Sequence, residues 1–216
     1  MFRAVVLLIL MTVQAQAGPW PRDKGETFLS FSVEAEQPDA FGYINHFMTL
    51  YGEHGLTDRL TGGIDIGGRS TGLSKAVVFL RYPVTPPEHR LKIAAEIGLG
   101  RAAGHRALRP AISVGRGFKL GERHGWMAVD TRVVLFDRAS RRLAQSDVTV
   151  GFNTSSRSKA ILQLQMGFPD TTPSYMKLTP SLVLEPRPGR HIEIGVTAGV
   201  KELSSVALKL GLWRRF

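Results

Sequence analysis

Six histidines, His46, His54, His89, His105, His124 and His191, supply the groups best suited to proton transfer near neutral pH, and they are scattered along the chain. None stands at a metal-ligand spacing such as His-x-x-x-His, and the sequence has no cysteine, so thiol chemistry and thiolate metal sites are absent. Nucleophilic catalysis by serine needs a hydroxyl beside a base. Ser30 or Ser32 with His46 is one such pair, of the kind that lipid-cutting enzymes carry on an outer wall. Pairs of this sort also arise by chance wherever serine is common. Gly98-Leu99-Gly100 ends an apolar stretch with no helix after it, so it is not a nucleotide fingerprint. The residues therefore define no catalytic, metal or cofactor-binding set, and no cofactor is expected. What remains is charge of both signs set among strands: Lys92, Glu96, Asp130, Arg132, Glu193 and Lys209.

The segments that carry those charges alternate. Leu91, Ile93, Ala95, Ile97 and Leu99 oppose Lys92, Ala94, Glu96 and Gly98. Met127, Val129, Thr131, Val133 and Leu135 oppose Ala128, Asp130 and Arg132, and Ile192, Ile194, Val196, Ala198 and Val200 oppose Glu193, Gly195, Thr197 and Gly199. The same division runs from Thr27 and through residues 160–168, 176–185 and 204–216. Period two with one apolar side is the mark of a β-strand with one apolar face. Turn residues recur between these segments, among them Pro38-Asp39, Pro86-Pro87, Gly104, Gly121, Pro169-Asp170 and Pro186 to Gly189. No segment has a helical period of useful length. The expectation is an all-β meander of hairpins, an antiparallel up-and-down transmembrane β-barrel of about 12 strands, with 8–14 allowed. Five alternate apolar positions cover about nine residues, near the length that crosses a bilayer on a tilt. A soluble lipocalin-like barrel has the same period with its apolar face inward, and stays open as an alternative. The segment 43–52 is the weakest strand, because both of its parities hold large apolar residues.

Residues 1–17 read as a signal peptide. Arg3 is a short positive region, Ala4 to Val13 an apolar core, and Ala15-Gln16-Ala17 a small-x-small cleavage site. Residues 18–216 are then expected to form one domain after signal-dependent export. The formal net charge is +10. The excess sits in connections, such as Arg101, His105 and Arg106, or Arg138, Arg141 and Arg142. No helix carries these residues and no aromatic stacking platform interleaves them, so nucleic acid is not an expected partner. Basic rims facing phosphate-rich headgroups of outer-membrane lipid and lipopolysaccharide are the better account. Strand charges nearly cancel, and Asp130 with Arg132, or Lys92 with Glu96, are candidate ion pairs of an enclosed interior.

Two stretches resemble known families. The terminal strand, with Leu208, Leu210 and Leu212 on one parity and a final Phe216, resembles the C-terminal signature of Gram-negative outer-membrane β-barrels, although Arg214 stands where that signature is apolar. The resemblance implies that these four residues are read by the barrel-assembly machinery. Tyr51-Gly52-Glu53-His54-Gly55 followed by Thr57-Asp58-Arg59 resembles a hairpin of small outer-membrane proteins that include transporters associated with meta-pathway phenol degradation; His54 replaces an aromatic of that pattern. The implied location is the cell outer membrane, with both termini periplasmic. The expected function is a narrow pore for passive transport of small solutes or a structural membrane role. A lipid-modifying enzyme and a soluble ligand-binding barrel are the alternatives. Lumen-lining candidates are Lys92, Glu96, Asp130, Arg132, Glu193 and Lys209, which would leave little ion preference.

Overall fold

The computed structural model describes residues 18–38, 41–137, 141–170, 173–201 and 206–216. Residues 1–17, with the expected cleavage site, lie outside the described residues, as do Asp39, Arg138, Ala139, Ser204 and Ser205. Twelve strands follow in order: β1 Thr27–Glu36, β2 His46–Gly55, β3 Thr61–Arg69, β4 Gly72–Pro83, β5 Leu91–Ala102, β6 His105–Leu120, β7 Arg123–Phe136, β8 Arg142–Ser155, β9 Ser158–Pro169, β10 Tyr175–Arg187, β11 Arg190–Lys201 and β12 Val206–Arg215. Each pairs antiparallel with its neighbours in sequence, and β1 pairs with β12, so the sheet closes into a barrel. Closure removes the edge strands that would otherwise invite aggregation. At the seam Phe31 faces Leu212 and Glu34 faces Lys209. Thr27 and Phe216 exchange backbone hydrogen bonds of 3.3 and 3.0 Å, which brings the start of β1 and the end of β12 to one rim.

Tight hairpins set the register. Between β5 and β6, Ala103 and Gly104 both have positive φ, 49° and 81°. That pair of left-handed residues makes the turn whose twist matches a β-hairpin. Pro110 lies inside β6, and the β6–β7 ladder skips Arg109 and Pro110 before resuming in register at Ala111. A proline has no N–H to donate, so a skipped rung is the expected cost of placing one in a closed sheet.

Parity decides which side faces out. On β4, Val78 and Leu80 are exposed, whereas Val77 is 4% exposed and Arg81 6%. On β11, Ile194 is 45% exposed and Glu193 3%. Leu29, Ile97, Leu99, Ile112, Val129, Leu182, Leu208 and Leu210 are all exposed. The apolar stripes thus point outward and the charged parity inward. This is the reverse of a lipocalin-like barrel, whose apolar face would line the interior, and the soluble alternative is corrected on that ground. No helix among the described residues is long and apolar enough to cross a membrane.

β2 shows why segment 43–52 reads poorly in sequence. Met48 and Leu50 point outward, while Phe47 and Tyr51 point inward with Glu53. Tyr51 stacks on Phe79 of β4 with ring centroids 5.7 Å apart. An aromatic cluster inside the barrel makes both parities look apolar. The aromatic residues near strand ends divide likewise. Tyr82, Phe168 and Phe216 are exposed on the outer wall. Trp213 turns inward against Phe28 and His191, and the Tyr175 hydroxyl accepts a hydrogen bond from Gln145.

Candidate functional site: a charged lumen with an internal strap

The inward side chains of β2 to β6 form one chain of alternating charge. Glu53 Oε1 meets Arg81 at 2.5 Å, Arg81 meets Glu96 at 2.8 Å, and Glu96 meets Arg109 at 3.1 Å. Arg109 continues to Asp65 at 2.5 Å, and Asp65 to Lys75 at 2.6 Å. Glu96 lies between cations of its two neighbouring strands, Asp65 between Lys75 of the neighbouring β4 and Arg109 reaching across from β6, and Glu53 is completed by a further partner described below. The Tyr51 hydroxyl donates to Glu53 at 2.6 Å and accepts from Arg81 at 3.0 Å. The Arg81 and Arg109 guanidinium groups also lie over Phe79, 5.3 and 5.8 Å from its ring centroid. Buried charges are tolerated when paired and hydrogen-bonded; every charge of this network is paired across five strands, and Arg109 Nε is left without a hydrogen bond.

Two further pairs sit elsewhere on the inner wall. Arg132 meets Asp147 at 2.7 Å and Gln145 at 3.1 Å. Lys209 meets Glu193 at 2.9 Å. From β8 to β11 the inner wall carries mainly neutral polar groups: Gln163 and Gln165 on β9, and Thr179, Ser181 and Thr197 on β10 and β11, with the Thr179 and Thr197 hydroxyls 3.0 Å apart. The interior thus has one side held by a linked charge network and another where amides and hydroxyls are interspersed with Asp147, Lys159, Lys177 and Glu193.

All six residues singled out for the interior, Lys92, Glu96, Asp130, Arg132, Glu193 and Lys209, lie on the inward parity. Their pairings differ from the sequence expectation. Arg132 pairs with Asp147 rather than Asp130, and Glu96 pairs with Arg81 and Arg109 rather than Lys92. Residues four apart on a strand are separated by about 13 Å of rise, and residues two apart by about 6.7 Å, whereas side chains directly across from each other are about 5 Å apart. Lateral partners therefore win. Lys92 donates instead to the Pro87 carbonyl in the β4–β5 connection. His46 faces Ala35 on the outer parity, while Ser30 and Ser32 face Tyr51 and Thr49 on the inner one. The wall separates them, so the imagined Ser–His pair does not form.

Residues 18–26 are the feature that strand patterning did not reveal. This strap precedes β1 and folds back into the barrel at the rim that holds Thr27 and Phe216. Its outer turn docks on the end of β2, with Gly25 N donating to Gly55 O at 2.8 Å and Gly55 N to Glu26 O at 2.9 Å. Deeper in, Arg22 is 3% exposed; its Nε lies 2.6 Å from Glu53 Oε2, and its backbone N donates to Thr61 Oγ1 at 3.1 Å. Pro19 is fully buried, and Arg81 donates to the Gly18 carbonyl at 3.0 Å. Trp20 packs over Gly115 of β6: a β-carbon there would stand 2.6 Å from Trp20 Cη2 and 2.8 Å from Pro19 Cγ. Gly18 lies close to Ala128 of β7. The strap thus runs from the β2–β3 side to the β6–β7 side and fills the interior between them. Among the described residues, it is this segment before the first strand, and not a connection between strands, that enters the interior. The sequence cue was Pro19-Trp20-Pro21-Arg22, an apolar and proline-rich stretch just ahead of a well-patterned strand.

A scan against protein-family models and a search of curated proteins give no match. Solved structures give several. A KdgM porin aligns with a TM-score of 0.66 at 8% identity over 88% of this chain and 99% of its own. A NanC porin aligns with a TM-score of 0.67 at 8% identity over 87% and 98%. An outer membrane channel from Pseudomonas putida F1 aligns with a TM-score of 0.56 at 11% identity over 94% and 100%. At these identities the likeness is one of fold, and the fold is that of the porin-like outer-membrane β-barrels: a closed, antiparallel barrel of twelve strands with apolar residues outside and charge within.

Proposed function

We propose that the protein is an outer-membrane pore that passes small solutes passively, and that its lumen is narrow because the strap occupies part of it. The observation that carries this reading is the inside-out distribution of side chains. An outward apolar band suits lipid, and a closed ring of strands leaves no backbone group unsatisfied there. The paired charges and the amide-and-hydroxyl wall within would otherwise be buried at considerable cost for no benefit to the fold. Barrels of eight strands are filled by side chains and those of sixteen or more hold an aqueous channel; twelve strands with an internal strap give a restricted passage. The porin fold of the neighbours supports the same reading. The outer band also supports outer-membrane location after export, and the basic residues at the rims suit lipopolysaccharide and phospholipid headgroups. Leu208, Leu210, Leu212 and Phe216 are exposed together on the outer wall, in keeping with recognition by the barrel-assembly machinery.

In the stretch that resembles a hairpin of transporters associated with phenol degradation, Tyr51 and Glu53 point inside the barrel beside the strap. Thr57 shapes the hairpin turn through bonds from Arg59 and Leu60, and Arg59 covers Tyr82. The inner pair supports a transport role and leaves the solute to be found by experiment. Liposome swelling with solutes of graded size tests the proposal. Swelling with the smallest polar solutes and none with larger ones is the expected result. Vesicles that swell no faster than protein-free ones contradict it.

A further inference from the structure

We propose that the Arg22 cradle is a cation-binding subsite of the lumen, filled by the protein's own strap, and that a small organic cation of the guanidinium class takes the site when Arg22 is withdrawn. The proposal rests on the pore reading for how such a solute would arrive, but not for its binding.

The cradle is built from fixed parts. Glu53 has a side chain that is 0% exposed, and its two oxygens have separate duties. Oε1 is held by Arg81 and by the Tyr51 hydroxyl, which locks the carboxylate and aims Oε2 at Arg22. Glu26 Oε1 stands 3.6 Å from Arg22 Nη1 and 3.8 Å from Arg215 Nε, close enough to pair with either charge but hydrogen-bonded to neither. The Phe28 ring lies beneath, its centroid 4.6 Å from the Arg22 guanidinium carbon. Two carboxylate oxygens beside the guanidinium and an aromatic face against it form a recognition set for a flat, delocalised cation, which is weakly hydrated and both forks and stacks. An ammonium ion can take the carboxylates but gains less from the ring. An anion meets the two carboxylates first and is disfavoured, since Arg81 and Arg215 are already engaged by them.

Removing the arginine side chain does not remove the demand for charge. Oε2 of Glu53 would then be a buried carboxylate oxygen without its partner, which is costly until a cation returns. The strap therefore behaves as a tethered occupant. Its other holds are the Arg81 bond to Gly18 and the seat of Trp20 on Gly115, and a solute of the right chemistry competes for one site among three.

The test uses the full chain carrying Arg22→Ala, with ethylguanidinium as the probe, since it replaces the atoms lost, and ethylurea as its uncharged counterpart. Ethylguanidinium is expected to raise the unfolding midpoint of Arg22→Ala saturably in the millimolar range, and ethylurea is not. Adding Glu53→Gln should weaken that binding by about tenfold or more, the worth of a hydrogen bond to a charged group. A second measurement needs no change at Arg22. In the unmodified chain, ethylguanidinium should compete with Arg22 and open Trp20 to acrylamide quenching, a change absent in Trp20→Phe. Equal responses to the two compounds in these measurements, or a response that survives Glu53→Gln unchanged, overturn the proposal. Neither readout involves conduction. A silent barrel that binds ethylguanidinium refutes the pore and leaves this subsite standing; a conducting barrel indifferent to it does the reverse.

Discussion

Arg22 and Glu53 are 31 residues apart in sequence, yet their side chains meet at 2.6 Å inside the barrel. That contact joins the segment ahead of the first strand to the charge network that crosses five strands, and so ties the strap to the inner wall of the barrel.

Glu53→Ala should destabilise the barrel by about 3–5 kcal/mol, the usual consequence of breaking a buried pair by removing one partner. Arg22 and Arg81 each lose one of their two carboxylate partners, and the Tyr51 hydroxyl loses its acceptor. A denaturant titration of refolded protein in detergent measures the change. A loss below about 1 kcal/mol, typical of exposed pairs, would mean that water already screens the network.

Gly115→Val should expel Trp20 and Pro19, because even a β-carbon at Gly115 would stand 2.6 Å from Trp20 Cη2. The barrel itself should persist, since position 115 keeps its strand pairing with Ala128 and Lys92. The expected outcome is faster swelling of proteoliposomes and a higher upper limit on solute size. Unchanged permeability with a displaced Trp20 emission would show that the strap does not set the width.

Ile194→Arg should cost about 2–4 kcal/mol if the position faces mid-bilayer lipid, and Gln163→Arg much less. Ile194 is 45% exposed on the outer wall, and Gln163 lies on the inner one opposite Thr179. Thr197 is not an equivalent inner control: it is 3% exposed and bonded to Thr179, so a large side chain there would crowd the wall. Equal costs at 194 and 163 in a refolding titration would reverse the assignment of faces.

Phe216→Ala should lower insertion of the chain into membranes more than Leu120→Ala, a change at another exposed apolar residue near a turn. The substitution keeps the backbone bonds between Phe216 and Thr27 that close the seam, so it isolates the ring. The Arg214 guanidinium lies 4.4 Å from the centroid of that ring, which gives Arg214 a place in the terminal strand despite its charge. Equal membrane yields would count against an assembly signal at the terminus.

The wall of the barrel was legible because a strand's faces are written at every second residue. Leu182 and Leu184 outward against Ser181 inward, or Ile194 against Glu193, need only period two to be read. The contents were not legible for a related reason. Ion-pair partners depend on register between strands, so Arg132 finds Asp147 across the ladder, not Asp130 on its own strand. Tyr51 and Phe47 obscured β2 because the interior there is aromatic. The strap obeys no period at all. Its place is set by the Glu53 carboxylate and by the missing side chain of Gly115, two residues whose proximity only the closed barrel creates.

Single-channel recording of the purified, refolded protein in planar bilayers tests the central claim most directly. The account predicts small, well-defined steps with little ion preference, with a weak anion bias at low salt from the basic rims that fades as the screening length falls from about 30 Å at 0.01 M to 3 Å at 1 M. Silence across many verified insertions, in the native chain and in Gly115→Val alike, would contradict it.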